Sequence, residues 1–111
     1  LKKIAIPVSN GALSPHFGHC ELFYIYEVEN NKILNENFLS SPPHEPGLFP
    51  QWLREQGVTD IIAGGMGHRA INLFNHYNIN VFVGAPPKEP MEIIREFIEG
   101  TLKLRENYCD H

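Results

Sequence analysis

Cysteine is scarce in this chain. Two residues, Cys20 and Cys109, in 111 positions are too few for the disulfide framework that holds small secreted domains together, and one bridge is the most the count allows. Positive charge is scarce too. Nine Lys and Arg stand against thirteen Asp and Glu, for a net charge of -4 and a pI near 5.8. That balance argues against the basic stripe that neutralises nucleic-acid phosphates or anionic lipid headgroups. No run approaches the ~20 apolar residues of a membrane helix. Leu1-Lys2-Lys3 leads into an alternating strand, not the apolar core of a signal peptide. There is no internal repeat and no linker. A cytoplasmic chain is expected, folded as one domain over residues 1–111, with neither nucleic acid nor membrane as partner; its 42% hydrophobic content suffices for one core.

The elements can be read from periodicity and from turn residues. Ile4, Ile6 and Val8 alternate with Lys3, Ala5 and Pro7 as in a strand, with Pro7 expected near its end. Ser9 to Cys20 reads as a loop. Leu22–Glu29 and Lys32–Leu39 flank Asn30-Asn31 as a hairpin. Pro50 suits the first turn of a helix that Gly57 stops. The run Thr59–Ala63 is a short strand buried on both faces. Ala70, Ile71, Phe74 and Tyr77 then recur at helical spacing up to Asn78, and Ile79–Val83 is a further strand. Pro90 opens a last helix and Gly100 closes it. This is an α/β pattern: five strands in one mixed sheet covered by helices. Right-handed crossovers should bring Ser9–Cys20 and Gly64–Gly67 to the same sheet edge.

Chemistry concentrates in three stretches. His16-Phe17-Gly18-His19-Cys20 puts two imidazoles and a thiol in one short turn, a donor set suited to zinc, copper or an iron-sulfur species. In the competing reading Phe17 plugs the core, the histidines cap backbone groups and Cys20 is a small buried hydrophobe. The absence of a Cys-x-x-Cys pair excludes a closed zinc-finger signature. Cys109-Asp110-His111 forms a second soft cluster at a terminus, able to complete a site only by folding over it. His44, among prolines, is a weaker candidate. Gly65-Met66-Gly67-His68-Arg69-Ala70 has the letters of a dinucleotide fingerprint, but Val83-Gly84-Ala85-Pro86 stands where the ribose-binding acid should be. What remains is an anion site on free backbone N–H groups, or glycines that only permit close packing. His76 suits the negative end of its helix.

Ile4-Ala5-Ile6-Pro7, His16-Phe17-Gly18, Phe23-Tyr24-Ile25-Tyr26 and Ala63-Gly64-Gly65-Met66-Gly67 together resemble the dinitrogenase iron-molybdenum cofactor biosynthesis family, which includes NifX-like proteins and the carboxy-terminal domain of NifB. The resemblance covers nearly the whole chain. It implies a ribonuclease H-like α/β fold: a mixed five-stranded sheet of order 3-2-1-4-5, strand 2 antiparallel to the rest, flanked by helices. It also implies a non-enzymatic carrier of an iron-sulfur or iron-molybdenum-type cluster, or of a single transition metal, exchanged with cluster donor and acceptor proteins. His16 and Gly65-Met66-Gly67 would belong to the binding face. His19, Cys20, Cys109 and His111 would add metal ligands not found in all members, and His68 would join the anion-binding turn. A direct role in nitrogen fixation does not follow. Two rivals stand beside this reading. A two-metal nuclease lacks its carboxylates here, with no acid in Ile4–Val8 and only Asp60 near the fourth strand. The other is a phosphate- or nucleotide-binding regulatory module without metal.

Overall fold

The computed structural model describes residues 1–41 and 48–105, with His19 described by its backbone alone. His44, Cys109, Asp110 and His111 therefore lie outside the described residues. Strands β1 (Lys2–Ser9), β2 (Ala12–Leu13), β3 (Leu22–Glu29) and β4 (Lys32–Ser40) are followed by α1 (Leu48–Glu55), β5 (Asp60–Ile62), α2 (His68–His76), β6 (Asn80–Phe82) and α3 (Pro90–Glu99). A 3-10 turn, Phe17–His19, precedes β3.

The architecture is mixed α/β, with one mixed sheet flanked by helices. The sheet has six strands, not five. Its path runs β4-β3-β1-β5-β6, with β2 pairing to β1 off that path. The extra strand arises inside the expected Ser9–Cys20 loop. Asn10 and Gly11 both take positive φ, 54° and 79°, the geometry of the two-residue hairpin turn whose twist matches its strands. Asn30 and Asn31, at 51° and 62°, build the β3–β4 turn in the same way. β1 is antiparallel to β3 and parallel to β5, and β5 is parallel to β6.

Pro7 lies near the end of its strand, as expected, with β1 closing at Ser9. The Pro7 carbonyl accepts the Ser14 N–H at 2.8 Å. Its nitrogen therefore faces the same flank, beyond Ala5, the last residue of β1 paired to β5, and before Val8, the first paired to β2. No ladder donor is lost there.

The central strand is buried on both faces. Ala5 joins Phe23, Ile25, Leu53, Ile61 and Phe74 beneath α1 and α2. Ile4, Ile6 and Val8 join Tyr26, Ile62, Ile93 and Ile94 beneath α3. The helix stops are those expected: Gly57, Asn78 and Gly100 all sit at positive φ. At the base of the sheet the buried Asp60 carboxylate accepts hydrogen bonds from the Thr59 hydroxyl at 2.7 Å and the Asn80 amide at 2.9 Å. The outer strand β4 carries a register shift beside Leu34, and such a bulge blunts an open sheet edge.

Candidate functional site

Parallel strands deliver their following loops to one edge. The ends of β1, β5 and β6 lie there with the start of β3, so Ser9–Cys20, 63–67 and 83–89 meet on a common rim. Main-chain bonds join them. Phe17 N–H donates to the Gly65 carbonyl at 2.9 Å, and His16 and Gly65 form an isolated parallel bridge. Gly84 N–H donates to the Gly64 carbonyl at 2.7 Å. A side chain at Gly64 would place its Cβ 3.0 Å from both Pro15 Cα and the Ser14 carbonyl oxygen, so Gly64 is the residue that permits the close approach of the loops. The sequence reading that the two loops share an edge describes this arrangement.

Phe17 fixes the first loop. Its ring is buried and meets Phe49 and Phe74 edge-on at 5.4 Å and Phe23 at 6.1 Å. The core-plug reading of Phe17 thus holds, and it serves the site by fixing its neighbour: His16 lies exposed at the rim, with its carbonyl held by the buried Ser14 hydroxyl at 2.9 Å.

The second loop divides into two parts. Gly64, Gly65 and Met66 are buried, whereas Gly67, His68 and Arg69 are exposed. The Met66 side chain belongs to the core with Phe17 and Phe74, so toward a ligand it can offer backbone only. Gly67 is the N-cap of α2 and makes no side-chain cap bond, and no acid occupies the first turn. The first N–H groups of a helix have no intrahelical acceptor, and the helix dipole makes that end positive. The rim at Gly67, His68 and Arg69 is therefore an anion-receptive surface beside an exposed imidazole.

Cys20 faces another way. Its Sγ lies 3.4 Å from the Ser41 hydroxyl and packs against the Phe17 cluster. Desolvation by burial raises its pKa, partly opposed by the Ser41 hydrogen bond. It is held as a thiol, the less nucleophilic and less metal-binding form. His76 stands in the last turn of α2, edge-on to Tyr77 at 5.1 Å, at the opposite end of the helix from the rim. Among the described residues, no three His, Cys, Asp or Glu side chains gather as a metal-binding group.

Sequence reasoning missed Gly84 and Arg105. Arg105 N–H donates to the Gly84 carbonyl at 2.8 Å, and a Cβ at Gly84 would fall 1.9 Å from the Arg105 carbonyl oxygen. The segment after α3 is thereby pinned to the rim. Gly84 at φ +88° is the kind of glycine such an approach demands, but nothing local in sequence names its distant partner.

Residues 1–100 match the family model described as dinitrogenase iron-molybdenum cofactor. The chain is 39% identical over 108 residues to the Methanocaldococcus jannaschii protein MJ0580, covering 93% of this chain and 91% of that one. The crystal structure of PH0822 superposes with a TM-score of 0.87 at 30% identity, covering 92% and 93% of the two chains. That of MJ0327 from Methanocaldococcus jannaschii superposes with a TM-score of 0.76 at 21% identity and 95% coverage of each chain, a likeness of fold alone.

Proposed function

Since this chain belongs to the dinitrogenase iron-molybdenum cofactor family, we propose that it binds and carries an iron-sulfur or iron-molybdenum-type cluster during cofactor assembly, rather than catalysing a reaction. The observation that carries the proposal is the His16–Gly65 bridge, because it sets an exposed imidazole beside the acid-free start of α2, whose N-cap is a glycine. The donor set argues for the form of the cargo. Two described imidazoles, His16 and His68, and a row of N–H groups do not make the closed coordination sphere that a bare ion needs. They suit an anionic cluster that brings its own sulfide or thiolate ligands and is held by hydrogen bonds, helix dipole and the rim histidines. His19, Cys20, Cys109 and His111 enter as further proposed ligands. For Cys20 this requires the thiol to leave Ser41 and lose its proton. Cluster donors and acceptors are the proposed partners, the cytoplasm the proposed compartment, and the sheet is read as a ribonuclease H-like arrangement with β2 added. Among the described residues, no helix is long and apolar enough to cross a membrane.

Gly67→Asp tests this reading cleanly. Nothing lies within 4 Å of a Cβ at Gly67, and Asp is a favoured N-cap, so the fold should be kept while a carboxylate enters the anion cradle. Anaerobic reconstitution with iron and sulfide, and separately with a molybdenum-containing precursor, is followed by metal counts and absorption spectra. Uptake should fall about tenfold or more in Gly67→Asp and in His16→Ala, and stay unchanged in His76→Ala; about tenfold corresponds to 1.4 kcal/mol. Full uptake by Gly67→Asp would remove the cradle. No uptake by the unmodified chain would remove the carriage reading itself.

A further inference from the structure

The segment after α3 makes a second feature, which borders the rim through Gly84 but is lined by none of the residues proposed to hold the cluster. Thr101, Lys103 and Arg105 line a groove of about 360 Å³ together with Pro86, Lys88 and Glu96. The intervening Leu102 packs onto the core under α3, and Leu104 is exposed. That alternation is the side-chain pattern of extended chain. Three cations and one carboxylate face the groove, in a chain whose net charge is -4. Glu96 is already engaged by Lys88 at 2.9 Å. Lys88 also feels Glu92, which leaves Lys103 and Arg105 as the charges without a carboxylate partner among the described residues.

The groove is held in shape. Thr101 and Leu102 N–H groups both reach the Glu96 carbonyl, at 2.9 and 3.2 Å, and Arg105 N–H is bound to the Gly84 carbonyl. The segment bearing the two cations is thus fixed at both ends by main-chain bonds, so little main-chain ordering cost remains when a ligand arrives. Side chains two residues apart on extended chain are about 6.6 Å apart. A second extended chain has the same repeat.

We propose that this groove binds an extended acidic segment of a partner protein, with carboxylates at alternate positions meeting Lys103 and Arg105. Guanidinium and ammonium groups bind carboxylates by charge-assisted hydrogen bonds, Arg in a two-pronged geometry. Such a contact accelerates encounter and selects acidic partners. It does not require a cluster to be present.

The test uses the full chain and a fluorescent hexaglutamate peptide, read by anisotropy at about 50 mM salt, where surface charges are weakly screened. Lys103→Gln with Arg105→Gln leaves every main-chain bond in place. The control, Lys2→Gln with Arg54→Gln, changes net charge equally but lies at the start of β1 and in α1. The groove variant should bind about tenfold more weakly or worse, and the control within about twofold. Cluster uptake should be the same in both, which separates this inference from the carriage reading. Equal weakening in the two variants would overturn the proposal, as would undetectable binding by the unmodified chain or tighter binding of a hexathymidylate than of hexaglutamate.

Discussion

Replacing Phe17 with alanine removes the ring that pins the His16 loop to the core. That ring is buried against Phe23, Phe49 and Phe74, two of them edge-on at 5.4 Å. Truncating a buried Phe costs ~3–5 kcal/mol, and the cost is largest where the surroundings cannot collapse. Here the cavity would be walled by the sheet, by Phe49 of α1 and by Phe74 of α2, all rigid elements, so ~4 kcal/mol is the expected loss. Chains of this size have urea m-values of ~1–3 kcal/mol/M. With a value of roughly 2, the midpoint should fall by about 2 M, and Phe17→Leu, which keeps most of the volume, should lose under about 1.5 kcal/mol. Urea unfolding followed by fluorescence and far-UV circular dichroism in parallel gives the measurement. A loss below ~1 kcal/mol with coincident transitions would refute the reasoning, since it would mean that the ring is not what holds the loop.

Gly84→Ala adds a methyl group where Arg105 main-chain atoms stand within 3 Å, at φ +88°. The left-handed backbone costs ~1–2 kcal/mol and the lost hydrogen bond ~1 more, so limited trypsinolysis after Lys103 and Arg105 should accelerate more than tenfold; an unchanged cleavage rate would contradict the docking. Cys20 keeps its proton in the folded state above the ordinary thiol range, because burial raises its pKa. Below that range both states are protonated; above it only the unfolded chain ionises, so stability should fall as pH rises past about 8.5. In a Cys109→Ser background, Cys20 should alkylate more slowly than a free thiol at pH 8, and Ser41→Ala should slow it further, because the Ser41 bond lowers the pKa. Faster alkylation in Ser41→Ala would contradict this.

Local chemistry was legible in the sequence wherever it is enforced locally. Asn30-Asn31, Asn78 and Gly100 announced their turns and stops because only certain residues accept positive φ. Pro90 announced the start of α3 by its fixed φ. The meeting of the two loops followed from the parallel pairing of their strands, because loops after parallel strands open on one edge. What escaped had long-range causes. β2 exists because β1 outlasts its pairing with β5 and leaves a flank open. The division of Gly65-Met66-Gly67-His68 into a buried half and an exposed half depends on how far β5 sinks beneath the helices. The orientation of Cys20 depends on Ser41, twenty-one positions away. No periodicity encodes such a partner.

The bridge between His16 and Gly65 is made of main-chain atoms, and this bears on how such a protein can diversify. Geometry held by peptide groups survives exchange of the side chains that hang from it. The identity of residue 16, or of residues 68 and 69, can drift through successive generations while the scaffold beneath them stays put. Gly64, Phe17 and Gly84 cannot drift so freely, because a side chain at either glycine would meet main-chain atoms and position 17 must fill a buried space with an apolar side chain. An engineer retuning the rim for a different cargo should therefore randomise positions 16 and 67–69 and leave those three untouched.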